Sequence, residues 1–337
     1  MRIAINGMGR IGRLLTRRLF SLEGVELVAV NDIMDSDNLG YLLRYDSVYG
    51  TLPAPVRYTE GLPGAAHGGE LMVGERKLRA FREPDPSKLP WKELGVDIVL
   101  ECSGRFSSGE AATLHRSAGA SKVLLSTTGS PEVPLLIYGF NQHVLTAANT
   151  IISPGGCMTN CSTHILYLLN QIGIESAQIN ILHSYTSRQE LVDAPHKQFR
   201  RGRAAAESII PVEIDLASSL ERLMPVLKDR IATVSTRVPV ANGAMADFTV
   251  QLKTASSVRE INALFSNAAK MEYKGVLDYT EEPLVSLDIK GDTHSCVVDG
   301  TLTSVAGRQV KVIAWFDNEY GYTSRMIDWL FYWKKFL

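Results

Sequence analysis

Two short segments of the chain carry the residue types of a covalent catalyst. Cys157 stands in SPGGCMTNCSTH, just ahead of a helical apolar pattern of Ile165, Leu168, Leu169 and Ile172. The two glycines before it let the backbone turn sharply and leave the sulfur accessible. A helix N-terminus offers free N–H groups and a positive dipole end, which lower a thiol pKa and favour the thiolate nucleophile. His183 closes the β-rich run INILHS, 26 residues further on, and an imidazole can take up and return the proton of such a thiol. Singly, a cysteine is more often a small buried hydrophobe and a histidine a satisfied core residue. Cys161 lies one helical turn beyond Cys157 on the same face. No further Cys/His cluster completes a four-ligand set with that pair, so we expect no metal and read Cys161 as a packed neighbour.

A second constellation opens the chain. Gly7-x-Gly9-x-x-Gly12 follows the apolar run RIAIN and begins a helical pattern of Ile11, Leu14, Leu15 and Leu19. In a dinucleotide site the first glycine permits the tight turn, the second lets a pyrophosphate approach, and the third lets helix pack on strand. The helix start then faces the phosphates. The run VELVAV ends at Asn31-Asp32, twenty positions after Gly12, where a carboxylate would accept hydrogen bonds from a ribose diol and repel a 2′-phosphate. NAD is therefore favoured over NADP, with Gly7, Gly9, Arg10, Ile11, Gly12 and Asp32 as the expected cofactor-binding residues. Together the two constellations define a chemistry. A thiolate adds to an aldehyde, the hemithioacetal gives up hydride to nicotinamide, and a thioester remains. The Cys157 N–H and a protonated His183 are available to stabilise the developing oxyanion.

The surrounding pattern supplies elements to hold these groups. β-rich runs at 2–6, 25–30, 97–101, 122–126 and 150–153 alternate with helical patterns, one opening on a capping box of Ser107 and Glu110. That alternation predicts βαβ units and a doubly wound parallel sheet. Beyond residue 153 longer runs at 179–184, 232–240, 246–252, 284–288 and 309–316, with a capped helix after Ser257 and Glu260, predict an α+β domain with a mostly antiparallel sheet. A last apolar helix runs from Tyr322 to Phe336. We expect a first domain of 1–153 plus 320–337 and a second of 154–319, with the chemistry between them.

Composition excludes several classes. The chain has 337 residues, 35 basic and 36 acidic side chains, a net charge of -1 and an apolar share of 45%. This is an ordinary globular balance with no electrostatic call for nucleic acid or an acidic membrane. Four cysteines are too few for a disulfide scaffold, and no apolar run approaches a membrane span or a secretion signal. A cytoplasmic protein is expected.

INGMGRIGR (5–13), LLRYDSVYG (42–50), CMTNC (157–161), HSYTSRQ (183–189), RRGRAAAESIIP (200–211), TRVPV (236–240) and WFDNEYGY (315–322) together resemble the glyceraldehyde-3-phosphate dehydrogenase family nearly end to end. The resemblance implies a Rossmann domain joined to a catalytic domain and NAD-dependent oxidation of a small phosphorylated aldehyde. It also implies a homotetramer in which the 185–211 loop packs against a neighbouring subunit. It makes Cys157 the nucleophile and His183 the base, matches Asn318 and Tyr322 to the nicotinamide environment, and matches Thr186, Arg203 and Arg237 to the substrate phosphate. Arg200 and Arg201 are read as surface or interface residues.

The sequence departs from the glycolytic pattern where inorganic phosphate would be held. Gly156 and Met158 flank the nucleophile, and Ile214-Asp215 replaces a Thr-Gly pair. The stretch SIIPVEIDLASSLERLMP resembles the erythrose-4-phosphate dehydrogenase branch, in which water resolves the thioester, whereas the Tyr-Thr of HSYTSRQ follows the glycolytic branch. Hydrolysis is the favoured reading, with a phosphorylating glycolytic dehydrogenase as the alternative. A scaffold protein of the same fold would be expected to lose Cys157 or His183. A semialdehyde dehydrogenase would be expected to differ at the phosphate residues.

Overall fold

The computed structural model describes residues 1–60 and 68–337. The chain divides into two compact units, one of Met1–Leu136, Asn141–Gly155 and Met326–Leu337, the other of Ile137–Phe140 and Gly156–Arg325. The first contains β1 (Arg2–Asn6), α1 (Arg10–Leu19), β2 (Glu26–Asn31), α2 (Ser36–Arg44), β3 (Val56–Thr59), β4 (Gly69–Val73), β5 (Arg76–Phe81), β6 (Ile98–Glu101), α3 (Gly109–Ser117), β7 (Lys122–Leu125) and β8 (Ile151–Ile152). Its strands lie in the order β3-β4-β5-β2-β1-β6-β7-β8. From β5 to β8 every neighbouring pair is parallel, and β3, β4 and β5 add an antiparallel edge. The central strands β6 and β7 are buried at every position, as parallel strands covered on both faces must be. This edge has no counterpart in the sequence pattern, because β3 (VRYT) and β4 (GELMV) are short and β5 (RKLRAF) carries three basic residues in six.

One helix start is corrected. The cap of α3 is Ser108, whose hydroxyl accepts the Ala111 N–H, rather than Ser107. The third residue after that cap is Ala111, so no capping box with Glu110 forms; Glu132 instead accepts the Gly109 N–H at 3.0 Å.

The second unit contains α4 (Cys157–Leu169), β9 (Ile174–Ser184), β10 (Ile210–Val212), α5 (Leu216–Leu223), β11 (Ile231–Val238), β12 (Ala244–Leu252), α6 (Val258–Lys270), β13 (Leu277–Thr280), β14 (Cys296–Ala306) and β15 (Gln309–Phe316). The strand order is β10-β11-β9-β12-β15-β14-β13, antiparallel except at β11/β9 and β14/β13. Alternate residues of β9 (Ala177, Ile179, Ile181) share one buried cluster with Ile165, Leu166, Leu168 and Leu169 of α4 and with Ile261 and Phe265 of α6. The Ser257–Glu260 capping box at α6 is present.

The run 284–288 is a turn, not a strand. The Asp288 carboxylate accepts the Val285 N–H, Val285 and Leu287 point to solvent, and Ile289 tucks in against Val297, Ile313 and Trp315. The strand in that region is β14, masked in the sequence by Gly300 and by a register shift between Asp299 and Ser304. The last helix, α7 (Tyr320–Trp333), begins in the second unit and ends in the first. Among the described residues no helix is long and apolar enough to cross a membrane, and no group of three His, Cys, Asp or Glu is placed to hold a metal ion.

A buried polar network ties the carboxyl ends of β1, β2 and β6. Glu101 Oε2 accepts from Asn6 Nδ2 at 2.6 Å and His115 Nε2 at 2.8 Å, while Oε1 accepts from the Ser103 N–H at 2.8 Å. Asn31 Nδ2 donates to Asn6 Oδ1 at 2.6 Å. The Trp91 indole can only donate, so the His115 Nδ1 that it meets at 3.0 Å is an acceptor, and the ring proton sits on Nε2 facing Glu101. These strand ends precede Gly7 and Asp32, so the network fixes the backbone from which the glycine-rich turn departs. Replacing Glu101 by alanine strands several buried donors at once. We expect the Glu101→Ala protein to lose about 3 kcal/mol or more of unfolding free energy in urea titration. An unchanged transition would show that the network does not carry this stability.

Candidate active site

Cys157 is the first residue of α4 and His183 the penultimate residue of β9. His183 continues the inward-facing series of Ala177, Ile179 and Ile181, so the strand points its ring toward the face that α4 covers. Cys157 Sγ lies 3.7 Å from His183 Nε2. On the far side of the ring, Nδ1 donates to the Ser184 carbonyl at 2.7 Å, which leaves the Nε2 lone pair toward the sulfur. The backbone N–H groups of Met158 and Cys157 favour the thiolate, as does the charge of Arg237, but burial outweighs them and pushes the thiol up to about 11. Burial, then Arg237, pushes His183 down to about 3. Both shifts favour the neutral thiol and the neutral imidazole.

Beside this pair lies a group of donors that have no partner among the described residues. Arg237 stands opposite His183 in the β9/β11 register and donates from Nη1 to the Ser184 carbonyl at 3.3 Å. Its buried Nε has no acceptor. Arg201 is also buried; its Nε donates to Gln198 Oε1, and its Nη1 has no acceptor. Gln189 Oε1 accepts from the Thr186 N–H at 2.9 Å and the Thr186 hydroxyl at 3.0 Å, and its buried Nε2 is again without an acceptor. Buried donors in this state are open to an acceptor that arrives from outside. Arg203 is not part of it. Its side chain is 66% exposed and pairs with Asp193 at 3.1 Å. Arg203, the expected phosphate ligand, thus lies apart from this group, and Arg201, expected at the surface or an interface, lies within it.

In the first unit, Gly7 adopts φ +95°, and a Cβ there would stand 2.3 Å from the Ser103 nitrogen. A Cβ on Gly12 would stand 2.0 Å from the Gly7 carbonyl oxygen, whereas one on Gly9 would meet nothing within 4 Å. The two outer glycines are required by packing, and the middle one keeps open the cradle that a pyrophosphate needs. Gly9 also has no side chain to cap the first turn of α1, where Arg10, Ile11 and Gly12 begin the helix. The Arg10 guanidinium is engaged with Asp46 at 2.6 Å, so its backbone rather than its side chain faces this role. The Asp32 carboxylate accepts N–H groups from Met8 at 2.5 Å and Met34 at 2.9 Å, which anchors it to the glycine-rich turn. These features fit NAD.

In the second unit, Asn318 Oδ1 accepts from the Gly243 N–H at 2.9 Å and from the Ser184 hydroxyl at 3.2 Å, which orients the amide and leaves Nδ2 as its donor. Tyr322 lies buried in the first turn of α7. Asp317, missed in the sequence, accepts the Glu319 and Tyr320 N–H groups at 2.9 and 2.8 Å and so starts that helix beside Asn318. Ile214 packs against the second unit's core, and Gly156 borders open space on its Cβ side. The acidic side chain whose charge opposes the Cys157 thiolate is Glu319. Cys161 is fully buried in the core, beneath the nucleophile.

Residues 1–109 match the NAD binding domain family of glyceraldehyde 3-phosphate dehydrogenase, and residues 156–318 match the C-terminal domain family of the same enzyme. Glyceraldehyde-3-phosphate dehydrogenase 1 of Bacillus cereus is 39% identical over 330 residues, spanning 97% of this chain and 96% of the relative. The glyceraldehyde-3-phosphate dehydrogenase of Thermotoga maritima is 42% identical over 333 residues, 98% of each. Glyceraldehyde-3-phosphate dehydrogenase 1 of Streptomyces avermitilis is 40% identical over 331 residues, 97% of each. With both domains matched in order and such relatives aligned across nearly its whole length, the chain belongs to the glyceraldehyde-3-phosphate dehydrogenase family and is an NAD-dependent oxidoreductase.

Proposed function

We propose that the chain oxidises a small phosphorylated aldehyde, erythrose-4-phosphate or glyceraldehyde-3-phosphate, through a thioester on Cys157 that water then cleaves. The observation that carries this is the Cys157–His183 pair set beside the unpartnered donors of Arg201 and Arg237. As Cys157 Sγ bonds to the aldehyde carbon, its proton passes to His183 Nε2, and the new Nε2–H faces the developing alkoxide. Bound NAD supplies the hydride acceptor that turns the hemithioacetal into a thioester. His183 then loses that proton to solvent; neutral again, it takes a proton from the attacking water and returns it to the sulfur as the C–S bond breaks, which releases a carboxylic acid and the thiol. Arg201 and Arg237 hold the substrate phosphate by charge-assisted bonds, with Thr186 on the adjoining turn. Asp32 receives the ribose diol, Gly7, Gly9, Arg10, Ile11 and Gly12 the pyrophosphate, and Asn318 and Tyr322 the nicotinamide side. The chain acts as a homotetramer in the cytoplasm. Leu191, Val192, Phe199 and Ile209 expose large apolar side chains within the 185–211 loop, a surface that a neighbouring subunit would cover.

Hydrolysis rests on the lack of hydroxyls at Gly156, Met158, Ile214 and Asp215. Phosphorolysis is the second reading. It is favoured by the buried free donor of Arg201 and by the names of the relatives above.

Steady-state assays in phosphate-free buffer separate the two. We expect sustained NADH formation and a free acid as product by mass; an absolute phosphate requirement with an acyl phosphate product would establish the second reading. We further expect Cys157→Ser to abolish turnover on either aldehyde while NAD still binds, as followed by cofactor fluorescence. Turnover above about one part in a thousand would rule out the thioester. The charge of Arg237 favours the thiolate, so Arg237→Gln must raise the thiol pKa further above about 11. The pH profile of Cys157 alkylation by iodoacetamide should therefore shift upward, and a downward or absent shift would contradict the assigned role of Arg237.

A further inference from the structure

Arg188 belongs to the same group of cations but to none of the roles assigned so far. It sits on the tight turn 186–189, which is closed by Gln189 Oε1 accepting from Thr186, while the Arg188 N–H faces the Thr186 hydroxyl at 3.3 Å. The chain then runs directly against the arginine loop: the Glu190 N–H donates to the Arg201 carbonyl at 3.0 Å, and the Ala205 N–H donates to the Glu190 carbonyl at 3.0 Å. On the other side, Arg237 is tied to Ser184, two residues before Thr186. Arg188 and the backbone of Arg201 thus meet at one short turn, and the charges of Arg188 and Arg201 both act on Arg237. Among the described residues no carboxylate pairs with Arg188, Arg201 or Arg237. The mutual repulsion is felt: the charges of Arg201 and Arg188 help burial to press Arg237 down to about 10. Like charges beside buried orphan donors repel one another, and an anion that shares them relieves that repulsion.

We infer that Arg188 is the outer arm of this anion site and a determinant of substrate charge, strengthening selection for an aldehyde that carries a phosphate dianion over a neutral aldehyde. The inference rests on reading Arg201 and Arg237 as the substrate-phosphate site. Arg201 and Arg237 are buried and fixed by neighbouring oxygens, so they form the floor. Arg188 is exposed and can fold its fork over the outer phosphate oxygens once they arrive. Gln189 Nε2 adds a neutral donor from the same turn.

Steady-state kinetics of the full chain with saturating NAD, comparing glyceraldehyde-3-phosphate with unphosphorylated glyceraldehyde, test this. For Arg188→Gln we expect KM for the phosphorylated aldehyde to rise roughly 10-fold with kcat reduced less than about 3-fold. The kcat/KM ratio between the two aldehydes should fall roughly 10-fold, with partial recovery in Arg188→Lys. An unchanged ratio in Arg188→Gln, or an equal loss on both aldehydes, would overturn the role of Arg188 while leaving the phosphate site intact. A wild-type chain that shows no preference for the phosphorylated aldehyde would instead overturn the phosphate site itself.

Discussion

The catalytic geometry of the second unit depends on one packing constraint: helix α4 lies on the sheet with its first residue over the end of β9. The apolar stripe of Ile165, Leu166, Leu168 and Leu169 is pressed against Ile179, Ile181 and Phe248, and this burial fixes how far the helix slides along the strand. Because strand side chains alternate, the same face that supplies Ile179 and Ile181 must supply His183. Because a helix points its free N–H groups outward from its first turn, Cys157 must sit where the strand ends. The 3.7 Å approach of sulfur and ring nitrogen is then a consequence of core packing. Shifting the strand register by one residue would turn His183 to the opposite face and leave the thiol without a base.

The same burial sets the electrostatics. The desolvation of the half-buried thiol and the buried imidazole favours their neutral forms, which raises the thiol and lowers the imidazole. Both shifts oppose a permanent thiolate–imidazolium pair, and in the proposed mechanism sulfur deprotonation belongs to the moment of attack. That arrangement protects a reactive cysteine between turnovers. It also makes the anion site more than a tether, since Arg237 acts on Cys157, on His183 and on the anion site at once.

Much of this was legible in the sequence because the signals were local. The two glycines before Cys157, the capped helix at Ser257 and the glycine spacing after β1 each declare their own conformation within a few residues. The choice between Arg201 and Arg203 was not local. They flank Gly202, whose missing Cβ lets the backbone pass against the Ala194 carbonyl oxygen, 2.3 Å from where a Cβ would stand. Hydrogen bonds from Glu190 to Arg201 and from Ala194 to Gly202 then turn Arg201 inward and leave Arg203 to Asp193 in solvent. Nothing in RRGR itself says which arginine faces which way. The edge strands β3 to β5 escaped for a related reason: their partners, rather than their composition, make them strands.

The charge of the anion site bears on what can cleave the thioester. On the proposed assignment, three guanidinium groups facing one phosphate dianion would leave one positive charge over for the oxyanion that forms when water attacks. A second phosphate dianion would turn that surplus into a deficit, close to Glu319, whose carboxylate already opposes negative charge at Cys157. Hydroxyl donors could offset part of this repulsion by direct bonds to the incoming oxygens. The positions flanking the sulfur, Gly156 and Met158, carry none, and Ile214 is spent on the core. A neutral nucleophile avoids the conflict altogether, needing only the proton acceptor that His183 presents. The surplus charge follows from the proposed anion site and the missing hydroxyls from the sequence, and within the proposed reading each argues for water independently of the other.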